Sequence, residues 1–473
     1  MNKTYGVCLG MLALGLVGLG APASRAESRL AGAGSETPAT SAASATTAPS
    51  ASSPEDLRQR IDALKAELAD LNTELAADKD AETAAPAADV PQDQGSPAPA
   101  PAQAPAAAAP AAPMPLASPS MTAPLSTAIP HEISAGPLGK LEITGILSGI
   151  ALGENNQVSH FGPNVHFDVS NAQVFVQKTT GWWQFYLQGG AYNLPAIGYS
   201  YNATSPTSFV YGPLPVAYLK LVKGNFNVEV GELPTLVGAE YTFSFENMNI
   251  ERGLLWFQEP AISRGIQLND TYKKLSVSFA YTDGYFSNRY TSLSGSLAYA
   301  INASNTITFV GAGNAGAYQY SSSATPNLQN NGSIYNLIYM YSHGNWMIMP
   351  YYQYSVVPTN SSVGIPVGGH TNGGALLANY NFKHGISLAV RPEYIKSSGS
   401  TATGEANLLG YGPGSGAFSF TVTPTFVKDG FFIRGDVSIV DLTSFDSTTN
   451  LGFGRTGTST NQVRGVIEAG VMF

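Results

Sequence analysis

In the segment from Leu275 to Thr282, large apolar side chains (Leu275, Val277, Phe279, Tyr281) alternate with small ones (Ser276, Ser278, Ala280, Thr282). A period of two places the two sets on opposite faces of a β-strand. The same parity recurs in Phe418, Phe420, Val422 and Phe426, in Phe431, Ile433, Val437 and Ile439, and in the closing stretch Val463, Ile467, Val471 and Phe473. Dividing residues 131–473 on this pattern predicts strands at 140–152, 168–178, 182–193, 213–223, 225–233, 260–269, 273–283, 291–301, 305–316, 332–342, 344–355, 371–382, 384–394, 416–427, 430–441 and 461–473. The connections alternate. Short ones carry turn residues, as in Lys223-Gly224-Asn225 and Lys428-Asp429-Gly430, and long ones fall on the other side, with 234–259 the longest. About 16 strands of roughly ten residues with short and long connections in turn predict an all-β fold, a transmembrane antiparallel β-barrel. In lipid, closing the sheet removes its unpaired edges.

The pattern changes upstream. Residues 1–26 carry Lys3, an apolar run from Val7 to Leu19 and the small-residue end Ser24-Arg25-Ala26, which reads as a signal peptide. Between residues 54 and 79, Leu57, Ile61, Leu64, Leu68, Leu71 and Leu75 are spaced alternately four and three apart, the seam of a short coiled-coil helix. About three heptads are marginal alone, so the seam predicts self-association. Residues 27–53 and 80–130 are rich in Ala, Pro, Ser and Thr and read as linkers, too poor in large apolar side chains to offset ordering entropy. The helix would then stand in the periplasm in front of the barrel.

Composition sharpens these expectations. Charged residues are 12% of the chain, and from Tyr290 to Phe382 there is no Asp, Glu, Lys or Arg, a surface that water alone would not favour. The net charge of −9 gives no basic field for nucleic acid. The single cysteine, Cys8, falls within the predicted signal peptide, so no thiol is left for disulfides or for holding a metal. The six histidines (His131, His160, His166, His343, His370, His384) form no recognisable motif with Ser or Asp, and no G-x-S-x-G, H-E-x-x-H or P-loop is present. These features predict a protein that is not an enzyme and that uses no cofactor.

The stretch Val230 to Leu268, with Gly231, Gly238, Glu240, Asn247, Asn249 and Gly265, resembles the OmpL-like β-barrel porin family, of the proteobacterial outer-membrane general porin type. The resemblance implies an outer-membrane pore that lets small hydrophilic solutes or ions diffuse passively. Periplasmic coiled coils precede some trimeric porins, which favours a homotrimer. A different class remains open: a structural anchor whose stalk ties the outer membrane to the cell wall. Stepwise ionic current across a bilayer separates the two.

In 16-stranded porins the third outer loop folds inward. Here that loop carries Glu240, Glu246, Asn247, Asn249, Glu251, Arg252 and Glu259, an acidic constriction if it narrows the lumen. Strand parity assigns Lys178, Lys220, Arg391, Arg434 and Arg464 to the inner wall, with Glu142, Glu229, Glu393, Asp436 and Glu468. A lipid-facing Arg or Lys at mid-membrane would cost about 2–4 kcal/mol. The opposed acids and bases predict a transverse field in the pore, or simply ion pairs such as Arg391 with Glu393 and Arg434 with Asp436 that brace the wall. Arg264 shares parity with Ile262, Ile266 and Leu268, so either it lies near the membrane interface or the register shifts there.

Overall fold

The computed structural model of this chain describes residue 125 and residues 131–158, 162–322 and 324–473. The predicted signal peptide, the first linker, the helical seam from Leu57 to Leu75, His160 and residues 80–130 other than Leu125 lie outside the described residues; Leu125 itself is buried.

A short strand, β1 (His131–Ser134), folds back on the start of the next one, with Ser134 opposite Lys140. Sixteen strands follow in chain order: β2 (Lys140–Glu154), β3 (Val165–Lys178), β4 (Trp183–Tyr192), β5 (Val216–Lys223), β6 (Phe226–Pro234), β7 (Ile262–Tyr272), β8 (Leu275–Thr282), β9 (Ser292–Asn302), β10 (Asn305–Asn314), β11 (Ser333–His343), β12 (Trp346–Val357), β13 (Gly369–Asn381), β14 (Ile386–Ser397), β15 (Gly416–Lys428), β16 (Phe431–Ser444) and β17 (Asn461–Met472). From β2 onward each pairs antiparallel with its successor, and β17 pairs with β2, so the sheet is a closed barrel. β1, which the alternation pattern did not predict, is outside this cylinder.

The β17–β2 ladder closes the seam from Arg464 opposite Glu154 to Met472 opposite Ile146, and Phe473 extends it. Gly145 and Phe473 exchange backbone hydrogen bonds at 2.6 and 3.0 Å, and the Phe473 ring occupies the place where a side chain on residue 145 would stand. The exposed apolar rows are the predicted ones: Val277, Phe279 and Tyr281 on β8, Phe418 and Phe420 on β15, and Val463, Ile467 and Val471 on β17. Such a band is stable facing hydrocarbon and would be an aggregation surface in water.

One predicted parity is wrong. Between Ser148 and Gly149 on β2 the register shifts, because Ser148 pairs with Asn171 and Gly149 with Val169, leaving Ser170 as an extra residue on β3. A bulge of this kind exchanges the two faces of a strand. Beyond it Asn171, Gln173, Phe175 and Gln177 are buried inside, and Lys178 falls on the outer parity. Its ammonium bends to the turn at the strand end, donating to the carbonyls of Thr180 and Trp183 and lying 4.3 Å from the Trp183 ring centre. Lys178 is therefore a snorkelling interfacial residue and no part of the inner wall.

Candidate functional site

Residues 235–261, between β6 and β7, run inside the barrel. From Thr242 to Ser263 every residue is buried, and Glu251, Arg252 and Glu259 are fully so. The loop is built of two single-turn 3-10 segments, Ser244–Glu246 and Trp256–Gln258. In the first, the Glu246 carboxylate turns back to accept from the Phe243 backbone N–H at 3.0 Å. Asn247 closes the preceding turn, accepting from Tyr241 N at 2.7 Å and donating to the Tyr241 and Phe243 carbonyls. Local polar side chains thus replace the ladder bonds that a loop away from water would otherwise lack.

Three wall arginines hold this loop. Arg391 on β14 pairs with Glu240 and with Glu393 (3.2 Å) and donates to the Glu251 carbonyl at 2.7 Å. Arg464 on β17 joins Glu154 on β2 and Glu251 on the loop, each at 2.7 Å. Arg434 on β16 donates to the Ser244 carbonyl at 3.1 Å and faces Glu468 at 3.9 Å. Asp436 does not pair with Arg434; it accepts the loop's Ile250 and Glu251 N–H groups, both at 2.9 Å. Glu468 accepts from Ser244, Ser148 and Asn171, and Asn249 donates to Thr423 at 2.6 Å. Arg252 donates to the Pro195 carbonyl in the second outer loop and lies over the Trp256 ring.

Of the two roles open to the charged residues, these contacts are ion pairing, with Arg391 on Glu393 as one of the expected pairs and the third outer loop as an additional partner. Arg391, Arg434 and Arg464 are fully buried behind the loop, as are the loop's own acids, so they clamp protein to protein and leave little of themselves facing open lumen. Buried ions are costly unless paired and hydrogen-bonded; Arg391 and Arg464 have such partners, whereas Arg434 leaves Nε and Nη2 without a hydrogen bond among the described residues. Burial still leaves its mark on the loop. Glu246 is pushed up to about 7, and Arg252 is lowered to about 10 by the same loss of water. Glu259, with neither carboxylate oxygen hydrogen-bonded among the described residues, is held well above the usual carboxylate range by burial and by the nearby Glu240 and Glu393.

The open side of the lumen is elsewhere. Inward-facing Ser276 and Ser278 on β8, Ser294, Ser296 and Ala298 on β9, and Thr306 and Thr308 on β10 are half-buried, a neutral wall of small side chains. Pro234, Leu236 and Pro260 line a small cleft together with Ala280, Ser294 and Ala312. Toward the short-turn end, Lys220 and Glu229 pair across β5 and β6 at 3.0 Å, and Glu142 accepts from Gln177 and Thr179.

A protein family described as "Putative beta-barrel porin-2, OmpL-like" matches residues 140–473, the whole cylinder. The chain belongs to this porin family. It is accordingly a β-barrel channel of the bacterial outer membrane, and the fold expected from the alternation of side chains is the fold observed. Solved structures similar to this porin include an anion-selective porin from Comamonas acidovorans (11% identity, covering 70% of this chain and 99% of that one, TM-score 0.48). OmpF of Salmonella typhi in complex with daunomycin is similar at 13% identity (72% and 100% covered, TM-score 0.47), and the outer-membrane channel DcaP of Acinetobacter baumannii at 10% (70% and 97%, TM-score 0.47). No curated protein matches this porin by sequence.

The composition carried one signal of the neutral wall: the chargeless run from Tyr290 to Phe382 spans β9 to β13. The participation of Gln258, which accepts from Thr371 at 2.8 Å and Ser355 at 3.3 Å on the wall, and of the Pro195–Tyr199 segment over the loop, had no signal in the local sequence.

Proposed function

We propose that this porin admits small hydrophilic solutes and ions by passive diffusion, and that the third outer loop, residues 235–261, sets the size limit by filling part of the lumen. The observation that carries this reading is the clamp of Arg391, Arg434 and Arg464 on the loop, which fixes one side of the passage and leaves the small-residue wall of β8 to β10 as the other. Solutes then meet hydroxyl groups, methyl groups and backbone, with the charged pairs set back from the path. Weak charge selectivity follows, since rings of exposed charge are what sort ions.

The reading includes the rest of the chain. Residues 1–26 direct export and are removed; 27–53 and 80–130 act as linkers; the helix at 54–79 associates in the periplasm through Leu57, Ile61, Leu64, Leu68, Leu71 and Leu75. A homotrimer is the assembly we favour, in line with an OmpT of Vibrio cholerae recorded in trimer form. Recording across a planar bilayer with the full mature chain tests the proposal: stepwise current that falls with solute size is expected. Silence from correctly folded protein would replace the pore with the anchor to the cell wall.

A further inference from the structure

On the outside of the barrel, at the end of β5 to β8 that carries the long loops, there is a cavity lined from β5, β6, β7 and β8. Gly231 on β6 and Gly265 on β7 stand opposite each other in register, and a β-carbon on either would meet the neighbouring strand's backbone. The cavity, of about 680 Å³, lies over these two glycines and is lined by residues of the outward-facing parity such as Val230 and Ile266. Leu214, Val230 and Ile266 form its apolar part, while Tyr211, Tyr281 and Tyr290 form an aromatic part near the loops. The Tyr281 hydroxyl donates to the Tyr290 carbonyl, holding that segment in place.

Two charged residues enter this lipid-side cavity, Glu232 and Arg264, which are directly opposite in register. Arg264 is already engaged. Its guanidinium meets Asp283 at 2.8 Å, donates to the Phe286 carbonyl at 3.1 Å and lies 3.9 Å from the Phe286 ring centre. Arg264 and Asp283 cancel. Glu232, by contrast, accepts no hydrogen bond and makes no ion pair among the described residues; Arg264 attracts it and Asp283 repels it, and with all three ionised the cluster carries one net negative charge. An ionisable group facing hydrocarbon is costly without a partner. The complement to a lone carboxylate beside tyrosine rings and an apolar trough is an ammonium group on a hydrocarbon chain, since cations are attracted both to carboxylates and to ring faces.

We infer that this lateral cavity binds an amphiphile with a primary ammonium head, the ammonium on Glu232 and among Tyr211, Tyr281 and Tyr290, and the chain along Val230, Ile266 and Leu214. A membrane lipid bearing an ethanolamine head has this chemistry. A lipid with the same phosphate and chains but a glycerol head lacks the cation and is the control.

The test is native mass spectrometry of the full mature porin in neutral detergent, offered phosphatidylethanolamine and phosphatidylglycerol of identical chains. The ethanolamine lipid should be retained about tenfold better, and Glu232→Gln should bring the two to parity, as loss of one charge-assisted contact predicts. Ile266→Trp, which fills the trough without changing charge, should reduce retention of the ethanolamine lipid. Migration on unheated gels verifies that each variant is a folded barrel. Equal retention of the two lipids by the unaltered protein, or a preference that survives Glu232→Gln, would overturn the inference. So would a drop in oligomer mass with Glu232→Gln and no lipid preference, which would make a second copy of this chain the occupant.

Discussion

Arg464 and Glu251 are separated by 213 positions in the chain and by 2.7 Å in the structure. The guanidinium also binds Glu154 and the carbonyls of Ala196 and Tyr199, so a single wall residue ties the third outer loop, the second outer loop and the closing strand pair together.

Removing that knot should loosen the loop and leave the barrel closed. Arg464→Met strands Glu251 and Glu154 in a buried site, and breaking such pairs by deleting one partner costs about 3–5 kcal/mol. The expected outcome is a larger and noisier single-channel conductance with the gel migration of a folded barrel. Conductance indistinguishable from that of the unaltered protein would show that the loop is held by other contacts.

The loop should also respond to pH. Glu246 titrates near its ordinary 4.5 when the loop is released and at about 7 when it is packed, because burial disfavours the charged form. The packed loop therefore binds the additional proton between these values, so its stability is fully present below 4.5 and declines as pH rises through about 7. Gating events in bilayer recordings should become more frequent from pH 5 to pH 8. Glu246→Gln, which cannot ionise, should reduce that rise, with the remainder carried by the loop's other buried carboxyls, Glu240 and Glu259, which burial also raises.

Charge selectivity should answer to the neutral wall. Ser294 borders the cleft opposite Leu236. Ser294→Lys is expected to lower conductance and to move the reversal potential in a salt gradient toward anion preference. An unchanged reversal potential would mean that ions take a different route through the lumen.

Lys178 offers the converse test. Its ammonium is spent on the Thr180 and Trp183 carbonyls at the strand end. Lys178→Met should leave ion preference unaltered and lower thermal stability by roughly 1 kcal/mol or less, in the range of one interfacial contact. A shifted reversal potential would return Lys178 to the pore.

The sequence by itself determined the cylinder. Strand positions came out within a few residues because burial against lipid on one side and the lumen on the other enforces a period of two, and turn residues such as Gly224 and Gly430 mark the short ends. It also expects Lys220, Glu229, Arg391, Glu393, Arg434, Asp436, Arg464 and Glu468 on the inner wall; in the structure Lys220 and Glu229 pair with each other, and Arg391, Arg434 and Arg464 are buried against the third outer loop. What parity alone could not register was the extra residue at Ser170, which reverses the faces of β3 and moves Lys178 outside. Only the tertiary structure decided what the inward charges do. Whether a carboxylate at position 240 or 251 meets water or an arginine depends on how a 27-residue loop crosses the barrel, and that path is chosen by contacts from strands on distant parts of the chain, which leave no periodic trace in local sequence.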